Sequence, residues 1–367
     1  MEKDNKNFLK NLFLWLIPFL LMAVALDHGG STLFAKDLIT ITLWGLGLMM
    51  LLGMRKIPIP PKWIYLLWLA FWIWGILTIF ASWSPDRTMG WTLHIGGFLV
   101  FGLFSYALAE EPIENFFRMF FAGAMVIVLI GYFFIIGART GLFIGRHDMM
   151  LHFISTFFWK NPAAGYLILL IPPAFALFLT DKRKGWRIFY LISTLLSSGA
   201  LLLTRSRAAW LSFIIAVILS IPFVIPFLKR IWRYIIIFPI AAVIIAFIVM
   251  PPSWVIGRVE QISEVAKEKP EEPIEERRMM LDMGWQMIKD NPVLGLGMDA
   301  FIVAYPVYLK NSHYLSSHLH NQYLQYAAEG GIIAALLFAA AIFSTIFFIL
   351  KGARRKKDLL LAGIGVG

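Results

Sequence analysis

Long apolar runs dictate what this chain can become. Stretches of roughly 20 residues with almost no charge recur from one end of the sequence to the other. A helix of that length crosses the ~30 Å hydrocarbon core of a bilayer. Inside lipid every backbone N–H and C=O must be bonded internally, and runs this long satisfy that as helices rather than as the short alternating strands of a barrel. The sequence therefore reads as all-α, a polytopic integral membrane protein. Only 15% of its 367 residues are charged and 59% are hydrophobic, against about 25% charged in soluble domains.

Ten spans fit the pattern, near 11–27, 37–54, 63–82, 89–109, 117–137, 161–180, 186–203, 207–227, 233–250 and 330–350. The apolar run from Leu359 to Gly367 is expected to begin an eleventh helix, truncated at the C-terminus. The chain is expected to divide into 1–203 with seven spans, 204–350 with three spans and a long outer loop, and a basic inner tail, 351–367. The first run lacks a small-residue cleavage pattern and reads as a retained helix.

Charge sets the orientation. The net charge of +11 sits in clusters beside the spans: Lys3, Lys6 and Lys10; Arg55, Lys56 and Lys62; Lys182 to Lys184 with Arg187; Lys229, Arg230 and Arg233; Arg354 to Lys357. Such clusters mark the cytoplasmic side and touch anionic lipid, so membrane lipids and not nucleic acid are the expected partners. The amino terminus is then cytoplasmic, and 138–160, the Arg205/Arg207 pair and 251–329 lie outside. The 110–118 loop, EEPIENFFR, is the one inner connection without a positive excess. No cysteine is present, which excludes disulfides and thiol chemistry.

The segment 251–329 is the only long polar stretch, and loops of that length are usually functional or disordered. Residues 259–276 read as a charged helix or linker. Arg277 to Asp290 reads as an amphipathic helix ended by Asn291-Pro292. Arg277 shares a stripe with Leu281, Trp285 and Ile288, a face expected to pack inward, where an arginine needs an anionic partner. Arg278 joins Asp282 on a solvated face, and either arginine remains open as the functional one. Gly295 and Gly297 suit a tight return of the chain. His320 carries an imidazole, the side chain suited to moving protons near neutral pH. Its spacing from His318 also admits a metal, although no carboxylate stands at ligand spacing. Arg205 and Arg207, two apart, should point to opposite sides of a helix. The aromatic-rich 138–160 loop, with Arg146, reads as a re-entrant or lid element or as an interfacial aromatic belt.

In order, these pieces form a signature: TRSRAAWLSF from Thr204, the Pro292-x-x-Gly295-x-Gly297 turn, His320-Asn321, then Glu329-Gly330-Gly331 before a hydrophobic span. That order resembles the O-antigen ligase and polymerase family, which moves lipid-linked glycans on the outer face of bacterial membranes. The resemblance implies a GT-C-like, inverting, metal-independent membrane glycosyltransferase of the cytoplasmic (inner) membrane, with no cofactor. Its donor would be a polyprenyl-diphosphate-linked glycan. Its acceptor would be lipid A-core in a ligase or another lipid-linked glycan in a polymerase. His320 is implied as the general base, and Arg207 and Arg277, with Arg205, as holders of the diphosphate. Asn321, Glu329, Gly295, Gly297, Arg146 and Asn161 are implied as support. The chain departs from the family in having Leu281 where a Trp is common, and Ala334 where a glycine is common. A lipid-linked glycan flippase is the rival from another class. Transporters, however, concentrate ionisable groups near the bilayer midplane, whereas here they crowd one interface. A peptidoglycan polymerase is the enzymatic rival, and the His-Asn and Glu-Gly-Gly pattern argues against it.

Overall fold

A computed structural model of the chain describes residues 2–30, 32–53, 62–107, 113–142, 152–249, 272–309, 316 and 318–366. Every regular element among them is helical. In chain order these are α1 (Glu2–Leu26), α2 (Leu33–Gly53), α3 (Lys62–Leu77), α4 (Pro85–Ala107), α5 (Ile113–Thr140), α6 (Lys160–Thr180) and α7 (Lys184–Leu203). They are followed by α8 (Arg207–Val224), α9 (Leu228–Val249), α10 (Glu272–Asp290), α11 (Phe301–Tyr308), α12 (Gln322–Lys356) and α13 (Leu359–Val366). Helices thus occupy all ten stretches read as spans. Six of them, α2, α3 with its 3-10 extension, α5, α6, α7 and α12, are long and apolar enough to cross a bilayer. The protein is a helical membrane protein. Among the described residues α1, α8 and α9 carry shorter apolar stretches, and α4 is diluted by Asp86, Arg87, Thr88 and His94. Arg146, the basic pair Arg55 and Lys56, and the segment 250–271 lie outside the described residues.

The chain forms two compact units. The first comprises Met1–Lys36, Ala109–Ile256 and Ile346–Gly367. Its core joins α5, α6 and α7 through Phe121, Leu167, Leu170 and Tyr190, all buried. Phe121 and Tyr190 meet edge-to-face with ring centroids 5.5 Å apart, the arrangement that ring quadrupoles favour. Residues 152–159 pack into this unit: Phe153 is buried against Gly131 and Tyr132, and the Ser155 hydroxyl donates to the Ile127 carbonyl. A buried ion pair fastens the α5 and α6 ends, Arg118 Nη2 to Asp181 Oδ2 at 3.1 Å. Arg118 Nη1 also donates to Asn115, and the Arg183 N–H donates to Asp181. Removing one partner of such a pair costs about 3–5 kcal/mol, because the other charge stays buried alone. Arg118, at the end of the 110–118 segment that lacks a positive excess, therefore has a local structural duty.

The second unit comprises Asp37–Leu108 and Gly257–Thr345. Its central feature is a break in α12 at Gly331, where φ is 74° and ψ 174°, backbone values that essentially only glycine adopts. In an unbroken helix Tyr323 and Phe343 would stand about 30 Å apart. Their rings instead stack, with centroids 6.4 Å apart and planes within 6°. Tyr326 meets Phe338 at 4.6 Å as well. The helix therefore doubles back on itself, and residues 322–330 lie alongside the segment that follows Gly331. Phe71 and Trp91, from α3 and α4, close the aromatic packing around Tyr326.

Candidate functional site

Helix α10 buries Met280, Met283, Met287 and Ile288, one stripe at helical spacing. The expectation that Arg277, Leu281 and Trp285 face inward is corrected. Leu281 is 48% and Trp285 57% exposed, and Arg277 is exposed with them. The packed stripe is displaced by one residue because methionines fill the irregular gap against α11 and α12. Gly284 fixes the approach, since a Cβ there would fall 2.8 Å from both Leu319 and Leu324. Arg278 is exposed too.

The turn that follows is gripped from two sides. The Leu296 and Gly297 N–H groups donate to the Ala328 and Glu329 carbonyls at 3.0 and 2.8 Å, and the Ile332 N–H donates to Pro292 at 3.0 Å. Gly295 and Gly297 take φ of 66° and 96°, and a Cβ on Gly295 would collide with the Glu329 carbonyl. The two glycine-bearing parts of the signature, 292–297 and 329–331, are thus one backbone-to-backbone assembly. The other grip comes from the junction of α3 and α4. Trp83 N–H donates to the Leu296 carbonyl at 2.9 Å. Thr88 Oγ1 donates to the Met298 carbonyl at 2.8 Å, and Arg87 Nε to the Asp299 carbonyl at 3.0 Å.

A polar relay ties this assembly to the histidine. Glu329, only 4% exposed, accepts from the Phe301 N–H at 3.2 Å and from Gln325 Nε2 at 2.7 Å. Gln325 Oε1 in turn accepts from the N–H of buried Leu319 at 2.8 Å. Asn321 caps α12, its Oδ1 accepting from the Tyr323 and Leu324 N–H groups. His320 is held between these anchors with φ at 56°, a left-handed conformation uncommon for a side-chain-bearing residue. Its imidazole is exposed, and its Nε2 lies 3.4 Å from Ser316 Oγ. That hydroxyl gives its only proton to the His318 carbonyl at 2.7 Å. Among the described residues no group of three or more His, Cys, Asp or Glu could hold a metal ion.

Sequence reasoning missed Gln325, Arg87 and Thr88. Gln325 left a trace, standing four residues before Glu329 on the same helix face. The other two act across more than 200 residues of sequence, and local spacing carries no sign of them.

In the first unit, Asn161 and the Ser-Arg step come together. Ser206 Oγ donates to Asn161 Oδ1 at 2.9 Å and accepts from the Ala209 N–H as the N-cap of α8. Arg207 is the first residue of α8 and exposed, whereas Arg205 precedes the helix with φ at 56°. The helical-face argument for separating the two arginines does not apply, because only Arg207 is in a helix.

Residues 192–339 match the family model described as O-antigen ligase. Over that segment the chain is similar to the O-antigen ligase family. No curated protein matches the chain. The O-antigen ligase family comprises membrane glycosyltransferases of ligase or polymerase type that act on glycan and lipid-linked substrates. The matched segment covers the Ser206-Arg207 step, α10, the glycine turn, His320 and the break at Gly331. It excludes Trp83, Arg87, Thr88 and Asn161.

Proposed function

We propose that this protein transfers a polyprenyl-diphosphate-linked glycan to a sugar hydroxyl at the outer face of the bacterial cytoplasmic membrane, with inversion and without a metal. The chain crosses that membrane ten times from a cytoplasmic amino terminus. One observation carries the reading: the 292–297 turn is bonded to the 328–332 backbone while His320 stands at the start of the same short helix. That arrangement supports a fixed base beside a rigid loop, as transfer chemistry needs.

In this reading the His320 imidazole takes the proton of the acceptor hydroxyl. The acceptor oxygen bonds to the anomeric carbon as the bond from that carbon to the diphosphate oxygen breaks. The diphosphate leaves carrying the electron pair, and guanidinium forks stabilise its growing charge. Arg277 is the first such ligand. Its exposed stripe, arginine followed by Leu281 and Trp285, matches a substrate that is part diphosphate and part isoprenoid. Arg207 and Arg205 are further diphosphate ligands on the family resemblance, with Arg146 and Asn161 in support. Glu329, Gln325 and Asn321 hold the histidine.

The test is purified protein in nanodiscs with a lipid-linked glycan donor and either lipid A-core or a second lipid-linked glycan as acceptor. Transfer to lipid A-core identifies a ligase, which the motif favours. Product still bearing a polyprenyl diphosphate identifies a polymerase. Absence of transfer to both acceptors, with donor bound, would overturn the reading.

A further inference from the structure

Exposed Trp83 and half-buried Tyr308 form an aromatic surface that the reaction chemistry above does not use. Their ring centroids are 6.2 Å apart with planes tilted by 40°, and Trp83 is 43% exposed. The surface is rigidly founded. Trp83 is bonded through its backbone to Leu296, and Leu296 to Ala328. The Tyr308 hydroxyl lies beside Asp290 and Asn291, and desolvation with the Asp290 carboxylate raises its pKa. Asp290 also accepts from Gln286 Nε2 at 2.9 Å.

The groups around the rings identify the kind of ligand. A tryptophan that anchors a helix end in lipid has apolar neighbours. Here Asp290 and Asn291 stand at Tyr308, and Asp86 and Arg87 follow Trp83 closely in the chain, with Arg87 Nη2 3.4 Å from Asp299 Oδ2. These belong to an aqueous face. Carboxylates outnumber the nearby cations Arg87 and Lys289, which disfavours a diphosphate or a phospholipid headgroup. Two electron-rich rings, tilted by 40° and standing near carboxylate and amide acceptors, suit a neutral pyranose. Its C–H face stacks on the rings while its hydroxyls donate to the rim.

We propose that Trp83 and Tyr308 are a subsite for a sugar of the glycan chain lying a few rings from the reacting end; this rests on the glycosyl-transfer reading. The helix from Asn321 to Ala328 rises about 10 Å, so the aromatic surface is offset from His320 by the reach of a short oligosaccharide. A chain too short to extend that far gains nothing from it.

The experiment compares wild type, Trp83→Ala, Trp83→Phe and Tyr308→Ala with two donors, the full lipid-linked glycan and the same lipid trimmed to its first sugars. With the full donor, each alanine variant should raise KM about tenfold with kcat little changed. With the trimmed donor all four proteins should transfer alike, and Trp83→Phe should stay near wild type on both. Equal loss on both donors would make the pair a structural support of the turn and overturn the subsite. A second arm measures binding of the oligosaccharide released from the donor by mild acid, using saturation-transfer NMR. Trp83-dependent binding by a protein that transfers nothing would retain the subsite and remove the transfer reading. Transfer with no such binding would do the reverse.

Discussion

At the scale of single residues, His320 is fixed by its neighbours rather than by its own contacts. Asn321 caps the helix after it, and Gln325 holds Leu319 before it. His320→Ala should therefore leave the protein folded and binding donor, while transfer falls about 10²- to 10⁴-fold, the usual contribution of a positioned base. His318→Ala should cost little; near-normal transfer by His320→Ala in the nanodisc assay would remove it from the chemistry. The arginines separate by geometry rather than by charge. Arg277→Lys keeps the charge but loses the fork that matches a diphosphate, so transfer should drop at least tenfold while Arg278→Lys stays mild. Equal effects at the two positions would leave Arg277 an interfacial anchor.

At the scale of elements, the reversal at Gly331 decides where the signature meets itself. An alanine there would take a backbone conformation costing about 1–3 kcal/mol, and its Cβ would run into the Val293 carbonyl. Gly331→Ala should lower the thermal midpoint in detergent and abolish transfer, whereas Ala334→Gly should leave transfer intact; a fully active Gly331→Ala would show that the reversal is dispensable. The elements themselves were largely legible. Apolar runs placed a helix over every expected span, because hydropathy at this length leaves the backbone little choice. The reversal was not legible, since two adjacent glycines before a hydrophobic run read equally well as a packing surface. The register of α10 also escaped, by one residue: Leu281 and Trp285 look like core residues, and only the methionines opposite reveal the buried stripe. The grip of Arg87 and Thr88 on the turn is a tertiary matter that no local pattern announces.

At the scale of the whole molecule, orientation is a prediction from charge alone. With no native cysteine, a cysteine at Ser316 should react with an impermeant thiol reagent in intact cells. Labelling only after lysis would invert the topology and move the site to the other side of the membrane. The bond from Ile332 back to Pro292 has a further consequence, for the order of assembly during synthesis. The glycine turn is made first, yet its backbone partners are added roughly 40 residues later, about 2–8 s at ordinary rates of translation. Until then the Leu296 and Gly297 N–H groups lack the Ala328 and Glu329 carbonyls that they bond in the folded protein, and the loop they belong to has no reason to close. Transfer competence therefore arrives as a late event in the life of the nascent chain, gated by delivery of the segment after Gly331, and a chain stalled before that point presents a membrane anchor without a working site.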